Sequence, residues 1–266
     1  MISIGMDPNI FTVGGFALSW HGLFTVLAIG VAIGLSLYRA RGSGFSEEYL
    51  YTAIIWAILG GMTGARLVHV IDNIGYYMQH PVQVVIMWEG GASLFGAILG
   101  AIVGVWIYSA VRRESFWRLA DLAAIAAPLA QATGRLGCAI NGDAYGTPTS
   151  LPWGVVYTHP AAFAEWGVAG HPAPVYEILW DLAVFGVLWR WRKRLRPEGS
   201  LFLLYLALYS FGRFFISLVR GAEPAWLGPL HEAHIIALLI LAVAVPLFLA
   251  RRMRAGALSP AEPLRE

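Results

Sequence analysis

Seven apolar runs, each long enough to cross a lipid bilayer as a helix, constrain this chain more than anything else in it. They are Ala17–Tyr38, Leu50–Ile71, Gly90–Tyr108, Leu119–Ile140, Val175–Trp191, Leu201–Val219 and Ala233–Leu249. A hydrocarbon core about 30 Å thick takes roughly 20 apolar residues to span, and in lipid a lone helix satisfies all of its own backbone groups. Glycine, proline or a cluster of charge ends each run. Composition agrees: 58% of the residues are hydrophobic and only 13% charged, against about 25% charged in a soluble domain. The expected fold is an all-α integral membrane protein of about seven transmembrane helices. Four helices fill 1–140, an extracytoplasmic loop or cap fills 141–174, three helices fill 175–254, and 255–266 form a polar, mobile cytoplasmic tail; together they make one functional domain. Pro128 inside the fourth run predicts a kink there.

Charge sets the orientation. Fourteen of the eighteen basic residues fall in four clusters on alternate loops, Arg39–Arg41, Arg112–Arg118, Arg190–Arg196 and Arg251–Arg265. That side is expected to be cytoplasmic, with the N-terminus outside. No Lys or Arg precedes the first run, so it lacks the basic segment of a cleavable signal peptide and is expected to be retained. Lipidation signals are absent. The single cysteine, Cys138, excludes an intramolecular disulfide and, in apolar company, reads as an inert small residue.

Four arginines are not needed by that topology: Arg66, Arg135, Arg213 and Arg220. An arginine at the membrane centre costs about 2.5–3.5 kcal/mol on insertion scales, so each should have a partner. From Leu201 to Arg213 is roughly 18 Å of helix, which places Arg213 just beyond the midplane on the outer side. Similar reckoning puts all four at one depth in the outer leaflet. Tyr209, Arg213, Ser217 and Arg220 are spaced four, four and three, on one helix face. Such a stripe suits an anion, because guanidinium forks match phosphate oxygens; the structural alternative is a buried pair with Glu89, Asp143 or Glu177 that pins two helices.

Gly134–Gly146 packs Arg135, Asn141 and Asp143 among four glycines. It can bring backbone N–H groups and one guanidinium to an anion, or it is simply the turn that follows a helix. His171 and Glu177 lead into the fifth run, where they could orient a substrate or move a proton; alternatively Glu177 offsets a helix dipole. His21 opens the first run as a base or as an interface residue. Gly96, Gly100 and Gly104, like Gly60 and Gly64, predict close helix packing. No P-loop, dinucleotide motif or nucleophile elbow is present, and no His/Cys/Asp spacing points to a metal. No cofactor and no nucleic-acid partner is expected.

Assembled, these residues resemble the prolipoprotein diacylglyceryl transferase family. The likeness runs from about Ser19 to Pro224 and rests on Gly61-Met-Thr-Gly-Ala-Arg66, Trp88-Glu-Gly-Gly91, Leu119-Ala-Asp121, Gly134-Arg-Leu-Gly137 with Asn141, Gly142 and Gly146, Pro152-Trp-Gly154, His171-Pro172 with Tyr176-Glu177, and Tyr209 with Arg213 and Arg220. The resemblance implies transfer of the diacylglyceryl group of phosphatidylglycerol to the lipobox cysteine thiol of a preprolipoprotein, at the outer face of the bacterial plasma membrane. It implies catalytic roles for Arg135, Arg213, Tyr209 and His21. Substrate contacts are implied for Arg66, Arg135, Asn141, Gly142, Asp143, Gly146, His171, Glu177, Arg213 and Arg220. The chain departs from the family pattern at five positions: His21 stands for Tyr, Phe95 for His, Cys138 for Asn, Asp143 for Glu and Ser217 for Glu. The histidine absent at Phe95 is a favoured candidate for thiol activation, so the alternative reading is a non-catalytic paralogue that binds or translocates phospholipid. A transporter is weaker, because no inverted repeat is evident.

Overall fold

The computed structural model describes residues 1–14, 16–41, 44–86, 90–221, 225–227 and 230–257. In chain order the elements are β1 (Ile2–Ile4), β2 (Asn9–Val13), β3 (Phe16–Ser19), α1 (Trp20–Ala40), α2 (Glu47–Asp72), α3 (Ile74–Gln79), a 3-10 turn (Pro81–Val85), α4 (Leu94–Arg112), α5 (Phe116–Asn141), β4 (Val155–Tyr157), β5 (Ala169–Gly170), α6 (Ala173–Trp191), α7 (Ser200–Ser217), β6 (Ala225–Leu227), β7 (Leu230–His231) and α8 (Glu232–Ala257). Each expected apolar run falls on one long helix. Trp88, Glu89 and the tail 258–266 lie outside the described residues.

Among the described residues, five helices are long and apolar enough to cross a membrane: α1, α2, α4, α7 and α8. The two other long helices, α5 and α6, carry Asp121, Arg135, Glu177 and Asp181, and those charges lower their hydropathy. The short strands are a departure from an all-helical expectation. The apolar runs give no hint of them, because they hold two to five residues each and all but β3, which takes the first three residues of the first run, lie outside the long apolar segments.

Two compact units form, one of residues 37–119 and one of residues 1–36 with 120–266. The first is built on α2 and α4. Ser46 caps α2 by accepting from Tyr49 N, and Ser93 caps α4 by accepting from Gly96 N. Both fill helix-start acceptor positions that Ser favours. Gly60 and Gly64 face Gly96, Gly100 and Gly104 so closely that a Cβ on any of the five would overlap the opposing backbone. Arg66 is buried at the outgoing end of α2. Its Nε donates to Val84 O (2.9 Å), its Nη1 to Gly90 O and Gly91 O (both 2.8 Å), and its Nη2 to Gln83 O. Gly91 is required twice over: its φ is +84°, and a Cβ there would meet Arg66 Nη1 at 2.7 Å.

The second unit places α5, α6 and α7 around Ile125, Val184, Leu188 and Leu201, with Leu35, Trp180 and Tyr205 packed against them, and α8 packs on α7. Asp121 starts α7 from the side: Oδ2 accepts from Gly199 N (2.7 Å) and Oδ1 from Phe202 N (2.9 Å). That accounts for an acid in the Leu-Ala-Asp segment, since first-turn N–H groups lack helical partners. Pro128 is buried inside α5. Gly137 of α5 sits on α1, where a Cβ would meet His21 Cα at 2.7 Å.

The stretch after α5 is a small cap. β1 pairs with β4 in parallel and β5 with β4 antiparallel, around Val155, Tyr157 and Ala164. Tyr157 donates its hydroxyl to Ala139 O (2.8 Å) at the end of α5. Burial pushes this phenol up to about 12, and the charges of Asp143 and Cys138 add to the shift. A main-chain stitch then joins three elements. Gly146 N donates to His171 O (3.0 Å), His171 N to Thr147 O (3.0 Å), and Thr147 N to Val219 O (2.8 Å). A Cβ at Gly146 would meet His171 O and Val219 O at 2.6 Å.

Candidate active site

Glu177 is the centre of the site. One turn into α6 its carboxylate is almost wholly buried, and three arginines from three segments converge on it. Arg213 Nη1 lies 2.7 Å and Arg220 Nη1 3.0 Å from Oε1, while Arg135 Nε contacts Oε2. The four residues carry a formal charge of +2, three guanidinium groups against one carboxylate. Arg135 is the most accessible of the three, with 27% of its side chain exposed. Of the pairings the sequence left open for the arginine stripe, the one with Glu177 is formed; Glu89 lies outside the described residues. Its role as a helix-dipole counter-charge is not what the geometry supports, since no acid stands in the first turn of α6.

Arg220 corrects one detail. α7 ends at Ser217, and Arg220 follows in a turn closed by Arg220 N donating to Ser217 O. It is therefore not on the helical face shared by Tyr209 and Arg213; the turn and its bridge to Gly146 carry it back to Glu177. Tyr209 lies within electrostatic reach of Arg213 and Arg135, and its ring stands 5.9 Å from that of Tyr205. Ser217 is fully buried with an Oγ that has no hydrogen-bond partner among the described residues.

A second group adjoins the first through Arg135. Arg135 Nη1 donates to Cys138 Sγ at 3.7 Å. Cys138 Sγ is 3.7 Å from His21 Nδ1, and His21 Nδ1 is 3.0 Å from Asp143 Oδ2. The ligand-capable atoms of His21, Cys138 and Asp143 all lie within 4.8 Å of one another. Cys138 is buried, but its company is polar rather than the apolar company its sequence neighbours suggest. Neighbours one turn apart on α5 do put Arg135 beside Cys138; the arrival of His21 from α1 and Asp143 from the cap has no local signal. Three of the five positions at which the chain departs from the family pattern thus meet at one point. Asn141 Oδ1 and Asp143 Oδ1 are buried without a hydrogen-bond partner among the described residues.

The remaining residues serve the frame. Gly142 has φ +75° and lies against the Tyr157 ring. Gly146 forms the stitch described above. His171 Nδ1 lies 3.3 Å from the Tyr176 hydroxyl, and that hydroxyl accepts from Trp153 Nε1 (2.9 Å). Arg66 belongs to the other unit, where four carbonyls take its donors. Phe95, the second residue of α4, is 42% exposed.

Known proteins agree with these motifs. A family model for prolipoprotein diacylglyceryl transferase matches residues 8–250. A phosphatidylglycerol–prolipoprotein diacylglyceryl transferase of Dehalococcoides mccartyi is 38% identical over 94% of this chain and 96% of its own. Proteins of the same description are 38% identical in Thermosynechococcus vestitus, over 91% of this chain and 92% of theirs, and 36% identical in Clostridioides difficile, over 88% and 91%.

Proposed function

Because this chain belongs to the prolipoprotein diacylglyceryl transferase family, we infer that it transfers the diacylglyceryl group of phosphatidylglycerol to the lipobox cysteine thiol of a preprolipoprotein. The observation that carries this reading beyond family membership is the gathering of Arg135, Arg213 and Arg220 on the single carboxylate of Glu177. Guanidinium groups gathered at one place suit a phosphodiester and suit its leaving group still better. As the thiolate sulfur bonds to the glyceryl carbon, the carbon–oxygen bond to phosphate breaks and glycerol phosphate departs with the electron pair. Charge grows on the phosphate oxygens, where fixed donors in a water-poor site stabilise it most. Tyr209 adds a hydroxyl beside Arg213, and Asn141 offers an amide oxygen not used by the fold.

In this reading the acceptor thiol is activated at His21, Cys138 and Asp143, one residue away from the phosphate grip through Arg135. The segment Gly142–Gly146 and His171 hold the grip in register. Arg66 fixes Gln83, Val84, Gly90 and Gly91 through its contacts to their carbonyls. The lipid's acyl chains lie along the apolar groove of Leu179, Trp180, Phe211, Phe215 and Ile216, whose neighbours in sequence are Glu177 and Arg213. Seven spans, an outside N-terminus, a cytoplasmic C-terminus and an outward-facing site in the bacterial plasma membrane complete the proposal.

The test uses purified protein, phosphatidylglycerol and a lipobox peptide. The expected product is the diacylglyceryl-peptide with one glycerol phosphate released. Arg213→Ala should lower turnover by about 10²–10³-fold, as loss of one charge-stabilising donor does. Phe95 favours a second reading, phospholipid binding without transfer, since it supplies no proton acceptor. Phosphatidylglycerol binding with no glycerol phosphate released at any pH would decide for that reading.

A further inference from the structure

We propose that His21, Cys138 and Asp143 form a three-ligand site for a divalent transition metal, zinc above all, whose open fourth position takes the acceptor cysteine as a thiolate. This inference rests on the transferase reading above and specifies how its thiol is activated.

The geometry points to a ligand set. Zinc binds sulfur at about 2.3 Å and imidazole nitrogen at about 2.0–2.1 Å, so a tetrahedral centre separates the two donors by about 3.6 Å. Cys138 Sγ and His21 Nδ1 are 3.7 Å apart. His21 Nδ1 and Asp143 Oδ2 are 3.0 Å apart, a little under the tetrahedral separation for nitrogen and oxygen. One ring nitrogen thus faces a sulfur and a carboxylate at once, and a single N–H can serve only one of them. A mixed thiolate, imidazole and carboxylate set suits zinc better than calcium or magnesium, which take oxygen donors.

The surroundings complete the site. Cys138 is buried at 5% exposure, whereas the side chains of His21 and Asp143 are 45% and 33% exposed. The cluster is therefore anchored on its protein side and open on another, as a metal site with three protein ligands and one exchangeable position must be. Arg135 donates to Cys138 Sγ, which supports a thiolate ligand from outside the coordination sphere. Asp143 Oδ1 adds a buried oxygen with no hydrogen-bond partner among the described residues.

The chemistry balances. A thiol that coordinates the metal gives up its proton to water. The bound thiolate then supplies both electrons of the new carbon–sulfur bond, and the electrons of the broken carbon–oxygen bond leave with glycerol phosphate. No oxidant, reductant or further base is needed.

The test is binding of Co²⁺, and its displacement by Zn²⁺, to chelator-treated full-length protein in detergent. The expected result is one ion per chain with a thiolate-to-cobalt charge-transfer absorption, which Cys138→Ser abolishes and Asp143→Asn weakens. An unchanged thermal unfolding transition of the metal-free protein shows that each variant is folded. A lipobox peptide should strengthen the absorption by adding a second thiolate, and its Cys→Ser version should not. Transfer should cease on chelation and return with Zn²⁺. Absence of the absorption, or its persistence in Cys138→Ser, overturns the metal site. Transfer that is unaffected by chelation overturns the thiolate step. Stoichiometric cobalt binding without transfer under any condition leaves the metal site standing and refutes the transferase reading instead.

Discussion

Replacing Glu177 by Gln removes a carboxylate that three guanidinium groups share. Its Oε1 lies 2.7 Å from Arg213 Nη1 and 3.0 Å from Arg220 Nη1, and only 6% of its side chain is exposed. Removing one partner of a buried charged group costs roughly 3–5 kcal/mol, because the remaining charge keeps its desolvation penalty. The lower end applies here, since Arg135 is 27% exposed and water screens it. A loss of about 3 kcal/mol corresponds to roughly 6–12 °C in the unfolding midpoint of a chain of this size. The same substitution makes the local formal charge more positive by one, so a phosphodiester should stabilise the variant more than the parent. Phosphatidylglycerol at about 100 times its Kd contributes about 2.7 kcal/mol by mass action. Thermal unfolding in detergent, with phosphatidylglycerol or zwitterionic phosphatidylcholine added, measures both effects. An unchanged midpoint in Glu177→Gln would refute the shared-carboxylate argument. Equal rescue by the two lipids would refute the anion preference.

Two smaller tests address the frame. Asp121→Ala should cost about 1–2 kcal/mol, the loss of a helix-start acceptor, seen as a lower unfolding midpoint with phosphatidylglycerol binding intact at 25 °C. Tyr157 keeps its proton to about pH 12 in the fold against an ordinary 10.0. Between those values the folded state binds more protons than the unfolded one, so stability should fall as pH rises through that window. The part of that fall due to Tyr157 should vanish in Tyr157→Phe, which itself loses about 1 kcal/mol with the hydrogen bond to Ala139 O.

The long helices were legible because twenty-residue apolar periodicity is a strong signal that needs no partner to interpret. The glycines of α2 and α4 were legible for a related reason, since a four-residue spacing states a helix face before any neighbour is known. The arginines were legible as anomalies: a guanidinium in an apolar run demands a counter-charge, though the run does not say which. Glu177, 36 residues from Arg213 in sequence, is a product of the fold, as is the bend that returns Arg220 to it after α7 has ended. The cap strands were hidden by their length. Parallel pairing of β1 with β4 joins residues more than 150 apart, and no local pattern encodes such a pairing. Cys138 shows the same limit from the other direction. Its flanks along α5 are apolar, and its polar neighbours come from α1 and from beyond the helix.

The stitch at Gly146 separates two properties that could have been entangled. The chain that leaves α5, the start of α6 with Glu177, and the turn of Arg220 are held relative to one another by N–H and C=O groups of Gly146, Thr147, His171 and Val219, among which only position 146 restricts the side chain, to glycine. Side chains at His21, Cys138 and Asp143 lie off that main-chain knot. Exchanges of side chain at His21, Cys138 and Asp143 therefore leave untouched the main-chain contacts that space Glu177 from Arg220.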